Sequence, residues 1–142
     1  SSEFSTVPVG KAELMLKGED TAIIAAGPVV NRAYDAAMEY KATTGKNPSV
    51  YNIRYIKPID SDALEEIFRK HRHIITIEDG CIAGGLHGAV AEIAAESGRC
   101  VSVKAIGIPD RFIGQGTQRE LREECGLCKE GILEAIAEEM TK

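Results

Sequence analysis

The sequence contains no tryptophan, and aromatic residues of all kinds make up only 5% of its 142 residues. No hydrophobic run approaches the roughly 20 apolar residues of a membrane-spanning helix, and no secretory signal segment is visible. Lysine and arginine, 17 together, are outnumbered by 22 aspartates and glutamates, which gives a formal net charge of −5. Because non-specific nucleic-acid binding needs a basic surface, we expect a cytoplasmic protein with neither nucleic-acid nor membrane partners.

Cysteine is also scarce, with four residues: Cys81, Cys100, Cys125 and Cys128. Without a secretory signal, reduced thiols are expected. Cys125 and Cys128 have CxxC spacing, but neither a second pair nor a nearby pair of histidines completes a zinc site. A thioredoxin-type motif would directly follow a strand, whereas this pair lies between two predicted helices. A redox or metal role is therefore the less favoured interpretation.

The remaining composition, 44% hydrophobic and 27% charged, is typical of one soluble globular domain. The opening residues SSEF include no initiator methionine. We therefore assign residues 1–9 to a cloning remnant or linker and residues 10–142 to the domain. An opening of this kind is compatible with a piece of a longer polypeptide.

Hydrophobic patterning predicts strands that alternate with helices along the chain. The predicted strands cover 11–17, 21–26, 49–55, 73–78 and 100–106, and the predicted helices cover 29–40, about 60–70, 86–97, 117–125 and 129–140. The last helix is expected to bury Ile132, Leu133, Ile136 and Met140. Parallel neighbours need right-handed crossovers, so this order predicts an α/β fold with a mostly parallel sheet of about five strands. We expect one mixed edge strand and helices on both faces.

The segment from His73 to Gly88 organises the predicted domain. Ile74, Ile75 and Ile77 suit a strand that is covered on both faces. Glu78 and Asp79 follow at its carboxyl end, where α/β sheets place their ligands and contacts. Gly84 and Gly85 then permit a sharp turn into a helix. The functional contacts of the chain are therefore predicted at this edge of the sheet.

No self-sufficient active site is predicted from these residues. The segment around Gly84 and Gly85 lacks the first glycine of the GxGxxG motif that binds dinucleotides. The nearby carboxylates of Glu78 and Asp79 would also repel a pyrophosphate group. Glu78 and Asp79 point to opposite faces, so we favour a carboxylate that accepts backbone N–H groups or pairs with a cation over an acid–base pair. His87 is interpreted as structural or solvent-facing, and His71 and His73 as ordinary strand-boundary residues. We predict no catalytic, cofactor-binding or metal-binding residue in this chain.

Three segments occur in an informative order: RYIKPID at 54–60, HIITIEDGCIAGGLHGAVAE at 73–92 and IGIPDRFIGQGTQRELREECGL at 106–127. Together they resemble the C-terminal domain of the 1-deoxy-D-xylulose-5-phosphate synthase family, which is part of the transketolase family. The most specific part consists of Pro109, Asp110, Phe112, Ile113 and Gly116. The strand, carboxylate and double-glycine segment is shared with transketolases and with beta subunits of thiamine-dependent 2-oxo acid dehydrogenases. The resemblance covers almost the whole chain.

The resemblance implies an enzyme that uses thiamine diphosphate and Mg²⁺ to join a two-carbon fragment of pyruvate to glyceraldehyde 3-phosphate. The product feeds the synthesis of isoprenoid precursors and of thiamine. In this family the upstream domains of the same polypeptide hold both cofactors, and this chain lacks the metal-binding GDG…N signature. The implied role is therefore a domain without bound cofactor that helps to form a homodimer. The interface candidates are Glu78, Asp79, Gly84, Gly85, His87, Asp110 and Phe112.

Two alternatives stay open at this point. One is the same domain from a transketolase or from a 2-oxo acid dehydrogenase beta subunit, against which the IPDRFIGQGTQ stretch argues. The other is a free-standing binding or regulatory module. The open reading frame distinguishes this last alternative, because several hundred upstream residues favour the synthase and a natural start codon near Ser1 favours the module.

Overall fold

A computed structural model describes residues 12–53, 61–78, 85–106 and 129–142 of the chain. The strands are β1 (Ala12–Leu16), β2 (Asp20–Ala26), β3 (Ser49–Ile53), β4 (His71–Glu78) and β5 (Ser102–Ile106). The helices are α1 (Val29–Thr44), α2 (Ser61–Lys70), α3 (Gly85–Ser97) and α4 (Lys129–Met140). None of the described helices has the length and hydrophobicity of a membrane-spanning segment.

The five strands form one sheet in the order β1-β3-β2-β4-β5. β1 runs antiparallel to β3, and the β3–β2, β2–β4 and β4–β5 pairs are parallel. The antiparallel strand therefore lies at one edge of an otherwise parallel sheet. This arrangement confirms the predicted mixed α/β fold.

Two apolar layers cover the sheet, because successive residues of each strand point to opposite faces. On one face, Ile23 and Ala25 of β2 pack with buried residues of α1 and α4. On the other face, Ala22 and Ile24 pack with buried residues of α2 and α3. A central strand whose residues are buried on both faces is the usual environment of a parallel sheet. The prediction of helices on both faces is confirmed.

Helix α1 is longer than its sequence pattern predicts, because it continues past Tyr40 to Thr44. The hydroxyl of Thr44 donates to the carbonyl of Tyr40 at 2.8 Å, and that of Thr43 reaches the same carbonyl at 3.1 Å. These contacts satisfy the two polar side chains within the helix. Gly45, in a left-handed conformation with φ 79°, then ends the helix. The predicted helix over 117–125 lies outside the described residues.

The start of β1 and the ends of the parallel strands lie at the same edge of the sheet, the carboxyl edge. Because β1 is antiparallel, its first residue, Ala12, lies opposite Ile53, the last residue of β3. The chain therefore enters the sheet at the same edge at which β3, β4 and β5 end. This is the edge that carries Glu78.

Candidate functional site at the carboxyl edge of the sheet

Glu78 is the half-buried last residue of β4, and its side chain reaches the start of the next helix. Its Oε1 atom accepts a hydrogen bond from the backbone N–H of Leu86 at 2.8 Å. The first N–H groups of a helix have no partner within the helix, and a carboxylate is favoured beside its positive end. This is the backbone contact that the sequence predicts for one of the strand-end carboxylates. Glu78 thereby ties the end of β4 to the beginning of α3.

His87 follows Leu86 in the first turn of α3 and is connected to the sheet through Thr76. Its Nδ1 atom lies 3.4 Å from the hydroxyl of Thr76. That hydroxyl in turn donates to the backbone carbonyl of Lys104 at 3.5 Å. Thr76 is only 2% exposed, whereas His87 is half-buried. Side chains from β4 and α3 and a carbonyl of β5 therefore meet at one corner of the sheet.

The structure brings together three of the seven predicted interface residues. Glu78, Gly85 and His87 lie at the junction between the end of β4 and the first turn of α3. Asp79, Gly84, Asp110 and Phe112 lie outside the described residues. The role of all seven as an interface stays a prediction.

His71 lies at the strand boundary as predicted, since it is the first residue of β4. The sequence does not reveal that this residue is only 4% exposed and that both of its ring nitrogens are hydrogen-bonded. Its Nδ1 atom donates to the carbonyl of Ile67 at 2.8 Å, so Nε2 accepts from the hydroxyl of Ser49 at 2.9 Å. The backbone N–H of Gly18 donates to the same hydroxyl oxygen at 2.8 Å. Burial lowers the pKa of the His71 imidazole. This network joins three strand ends and α2 at the amino edge of the sheet.

A second set of polar contacts that the sequence does not reveal lies beneath the end of α4. Glu139 is 2% exposed, and its carboxylate lies 3.6 Å from Nδ1 of His73 and 3.0 Å from Nζ of Lys142. The same His73 nitrogen is 3.0 Å from the hydroxyl of Ser102. Because the serine and the glutamate share one imidazole nitrogen, the group lacks the geometry of a catalytic triad, in which they occupy different nitrogens. These contacts hold α4 against the strands.

Within the described ranges, few side chains are placed together for chemistry. Among the described residues, no three His, Cys, Asp or Glu side chains converge as metal ligands would. Cys100 is a free, exposed thiol, and the other three cysteines lie outside the described ranges. The carboxyl edge offers Glu78, already bonded to Leu86, and the imidazole of His87.

Comparison with known proteins agrees with the fold. Residues 10–132 match the family model described as transketolase, C-terminal domain. The chain is 39% identical over 130 residues to 1-deoxy-D-xylulose-5-phosphate synthase of Bacteroides thetaiotaomicron, covering 92% of this chain and 20% of that protein. The corresponding protein of Nitratidesulfovibrio vulgaris is 37% identical over 138 residues, covering 94% of this chain and 21% of that protein. The chain thus spans about a fifth of the length of these curated relatives.

Two solved structures of transketolases are similar to this chain. One described as a split gene transketolase, inactive beta4 tetramer, superimposes with a TM-score of 0.83 at 30% identity, covering 95% of this chain and 44% of that one. Transketolase from Campylobacter jejuni superimposes with a TM-score of 0.58 at 16% identity and shares the fold, with 91% of this chain and 18% of that one covered. The family model spans most of the chain. This chain belongs to the transketolase C-terminal domain family.

Proposed function

We propose that the chain is the C-terminal domain of a thiamine-diphosphate-dependent 1-deoxy-D-xylulose-5-phosphate synthase. The reaction joins pyruvate and glyceraldehyde 3-phosphate to give 1-deoxy-D-xylulose 5-phosphate and CO₂. The observation that carries the proposal is the match of almost the whole chain to about a fifth of synthases from several bacteria. Within such a protein this domain has an architectural role: it packs on the upstream domains and supports a homodimer.

The carboxyl edge is the favoured packing surface because of where the chain enters and leaves the sheet. Ala12 lies opposite Ile53 at this edge, so the polypeptide that precedes β1 joins the domain there. Glu78 fixes the first turn of α3 at the same edge through its bond to Leu86. A preorganised surface loses less conformational entropy on association than a mobile one. The preceding polypeptide therefore joins the domain at this edge, and the first turn of α3 is held in place there.

Thiamine diphosphate and Mg²⁺ do not fit the described residues of this chain. Mg²⁺ in such sites is bound through one or two carboxylates together with phosphate groups. At the carboxyl edge, the one described carboxylate that is placed for such a role, Glu78, already accepts the Leu86 N–H, and the described ranges hold no converging ligand set. We therefore assign both cofactors to the upstream domains and derive no catalytic step through them here.

The test is a pair of substitutions in the full-length polypeptide. Gly84→Val with Gly85→Val adds branched side chains at the glycine turn, and we expect a weaker dimer and reduced synthase turnover. Gly88→Ala, on the same helix, is the matched control, because a Cβ atom at Gly88 meets nothing within 4 Å. The dimer dissociation constant and the rate of pyruvate consumption are measured for each variant. Unchanged assembly and turnover in the double variant would refute the packing role of this edge.

A transketolase is the second candidate, since the split gene transketolase structure is 30% identical to this chain. The two activities differ in one product, because ketol transfer between sugars releases no CO₂. The full-length polypeptide is supplied with pyruvate and glyceraldehyde 3-phosphate, and CO₂ is measured. We expect CO₂ release, and its absence alongside ketol transfer would favour the transketolase.

A further inference from the structure

The amino edge of the sheet is the end of the domain whose connecting segments are all described. Residues 17–19, 45–48 and 98–101 join neighbouring elements there, and α2 leads directly into β4 at His71. The last residues of α4 lie at the same edge, since Glu139 contacts His73. The surroundings of a site at this edge can therefore be read from the structure.

A cleft of about 420 Å³ opens at this edge beside the turn between β1 and β2. It is lined by residues 17–20 of that turn, by residues 45–47 after α1, and by Met140 at the end of α4. Small-molecule sites in proteins have volumes of roughly 300–1,000 Å³. The cleft is therefore large enough to hold a small molecule.

Hydrogen bonds between the two segments fix the shape of the cleft. The backbone N–H of Glu19 donates to the carbonyl of Asn47 at 3.2 Å, and the side-chain amide of Asn47 donates to the carbonyl of Lys17 at 2.9 Å. Gly18 lies so close to the other segment that a Cβ atom there would be 2.3 Å from the carbonyl oxygen of Asn47. A ligand therefore meets walls that are already in place, which lowers the entropic cost of binding.

Asp20, the first residue of β2, lines this cleft and has a strained backbone. Its φ is 65°, and within the described ranges it is the only residue other than glycine with a positive φ. The N–H of Thr21 donates to the carbonyl of Glu19 at 2.6 Å, which makes Asp20 the centre of a γ-turn of the rare, strained form. The turn of the same length centred on Cys100, before β5, has no positive φ. Strain of this kind recurs at sites that clamp ligands.

Residues with charges of both signs line the cleft. Lys17 and Lys46 supply two ammonium groups, and Glu19 and Asp20 supply two carboxylates. All four residues are exposed, and none of their side chains forms an ion pair within the described ranges. A multivalent cation would be repelled by the ammonium groups and a multivalent anion by the carboxylates. A molecule that carries one charge of each sign can interact favourably with both pairs.

We propose that this cleft binds a small zwitterion, a molecule with one carboxylate and one ammonium group. In this assignment the carboxylate of the ligand interacts with Lys17 and Lys46, and its ammonium group interacts with Glu19 and Asp20. Met140, which packs against the core, supplies an apolar wall for the carbon atoms of the ligand. The inference is independent of the proposed function, which concerns the opposite edge of the sheet.

Titration of the 142-residue chain, followed through its amide NMR signals, tests the class of ligand. The probes are α-aminobutyrate and γ-aminobutyrate, which carry both charges, and butyrate and butylammonium, which carry one charge each on the same carbon chain. We expect at least one zwitterion to shift the amide signals of Gly18, Asp20 and Gly45. Because each singly charged probe lacks one charged contact, it should bind about tenfold more weakly.

Substitutions identify the charged groups that hold the zwitterion. Asp20→Asn removes a carboxylate and keeps a residue that tolerates a left-handed backbone, and Lys46→Gln removes an ammonium group. Each should weaken zwitterion binding by about tenfold. Asp35→Asn and Lys41→Gln make the same chemical changes at exposed positions of α1 outside the cleft, and they should leave binding unchanged. Urea unfolding checks that each variant is folded under the titration conditions.

Zwitterion binding that depends on Asp20 and Lys46, but not on Asp35 and Lys41, supports the inference. Butyrate binding as tight as that of the zwitterions, with no effect of Asp20→Asn, would show an anion site and overturn it. Equal weakening by the control variants would show non-specific attraction between charges and would also overturn it. Amide signals that no zwitterion shifts would show that the cleft does not bind this class of molecule.

Discussion

Gly18 shows how one residue without a side chain permits two segments to touch. A Cβ atom at this position would lie 2.3 Å from the carbonyl oxygen of Asn47 and 2.3 Å from the carbonyl carbon of Pro48. Both contacts are with backbone, which cannot move aside as a flexible side chain would. The N–H of Gly18 also donates to Ser49 in the His71 network. The close approach and the hydrogen bond depend on the same residue.

Gly18→Ala should therefore destabilise the chain by about 1–3 kcal/mol, the usual cost of forcing extra atoms into a packed site. Urea unfolding monitored by circular dichroism measures the free energy of unfolding. Gly88→Ala is the control: its new methyl group meets open space, and alanine favours a helix over glycine by about 1 kcal/mol. Equal effects of the two substitutions would contradict the steric explanation.

His71 should make stability depend on pH. Burial is the main cause that lowers the pKa of its imidazole in the folded chain, while the hydrogen bond to Ile67 opposes the shift. The unfolded chain, with a pKa of about 6.5, then takes up the proton more readily than the folded chain. The contribution of this group is fully present above about pH 6.5 and is lost as the pH falls toward the folded-state pKa.

The measurement is the free energy of unfolding at pH 7.5 and at pH 5. His71→Asn keeps a donor near the Nδ1 position but cannot titrate, so the part of the pH dependence that belongs to His71 should disappear in this variant. That part cannot exceed about 1.4 kcal/mol per pH unit for one proton. His73 and His87 are present in both proteins, and their contributions cancel in the comparison. Identical pH slopes would show that His71 does not titrate in this way.

At the scale of secondary structure, α4 depends on a charged residue in a core position. Glu139 continues the buried stripe of Ile132, Ala135 and Ile136 at helical spacing, yet its carboxylate contacts His73 and Lys142. Glu139→Ala should destabilise the chain by about 1–3 kcal/mol, because it leaves polar partners without their acceptor. Glu138→Ala makes the same change one residue earlier, at an exposed site paired with Lys104, and should have a much smaller effect. Comparable losses in urea unfolding would contradict a special role for Glu139.

The elements themselves were largely predictable because runs such as Thr21 to Ala26 and Ile74 to Ile77 have few alternatives to a buried strand. Apolar residues at helical spacing in α1 are all buried: Val29, Val30, Ala33, Ala36, Ala37 and Tyr40. The end of α1 was predicted too early, because the hydroxyls of Thr43 and Thr44 bond back to a helix carbonyl and the helix continues through both residues. Helical spacing alone also fails to distinguish Glu139 from a surface glutamate. Its burial depends on His73 and Lys142, and the His73 contact joins residues far apart in the chain.

The candidate site was predictable only in part. The position of Glu78 at a strand end suggested a backbone contact, and the Leu86 N–H supplies it. The link from His87 through Thr76 to Lys104 joins α3, β4 and β5, and its formation depends on β5 lying next to β4. The same holds for the Ser49–His71 bond. These side-chain contacts form only when particular strands are neighbours in the sheet. No local pattern in this sequence determines which strands are neighbours.

Across the whole domain, the two edges of the sheet have different kinds of contact. At the amino edge, contacts such as Ser49–His71 and His73–Glu139 join separate elements to one another. At the carboxyl edge, the four parallel strands β2, β3, β4 and β5 end, and the polypeptide enters opposite Ile53. The proposed function assigns the carboxyl edge to contact with the upstream domains. The proposed function therefore predicts a stable fold without independent catalysis.

The 142-residue chain should consequently fold but fail to consume pyruvate. The described residues form an apolar layer on each face of the sheet, so urea unfolding should show one cooperative transition. Pyruvate and glyceraldehyde 3-phosphate are supplied with thiamine diphosphate and Mg²⁺, and pyruvate loss is compared with a reaction lacking thiamine diphosphate. We expect equal rates in the two reactions, and faster, cofactor-dependent consumption by the full-length polypeptide under the same conditions. Cofactor-dependent turnover by the folded chain alone would show that the catalytic groups lie within it and that its role is not architectural.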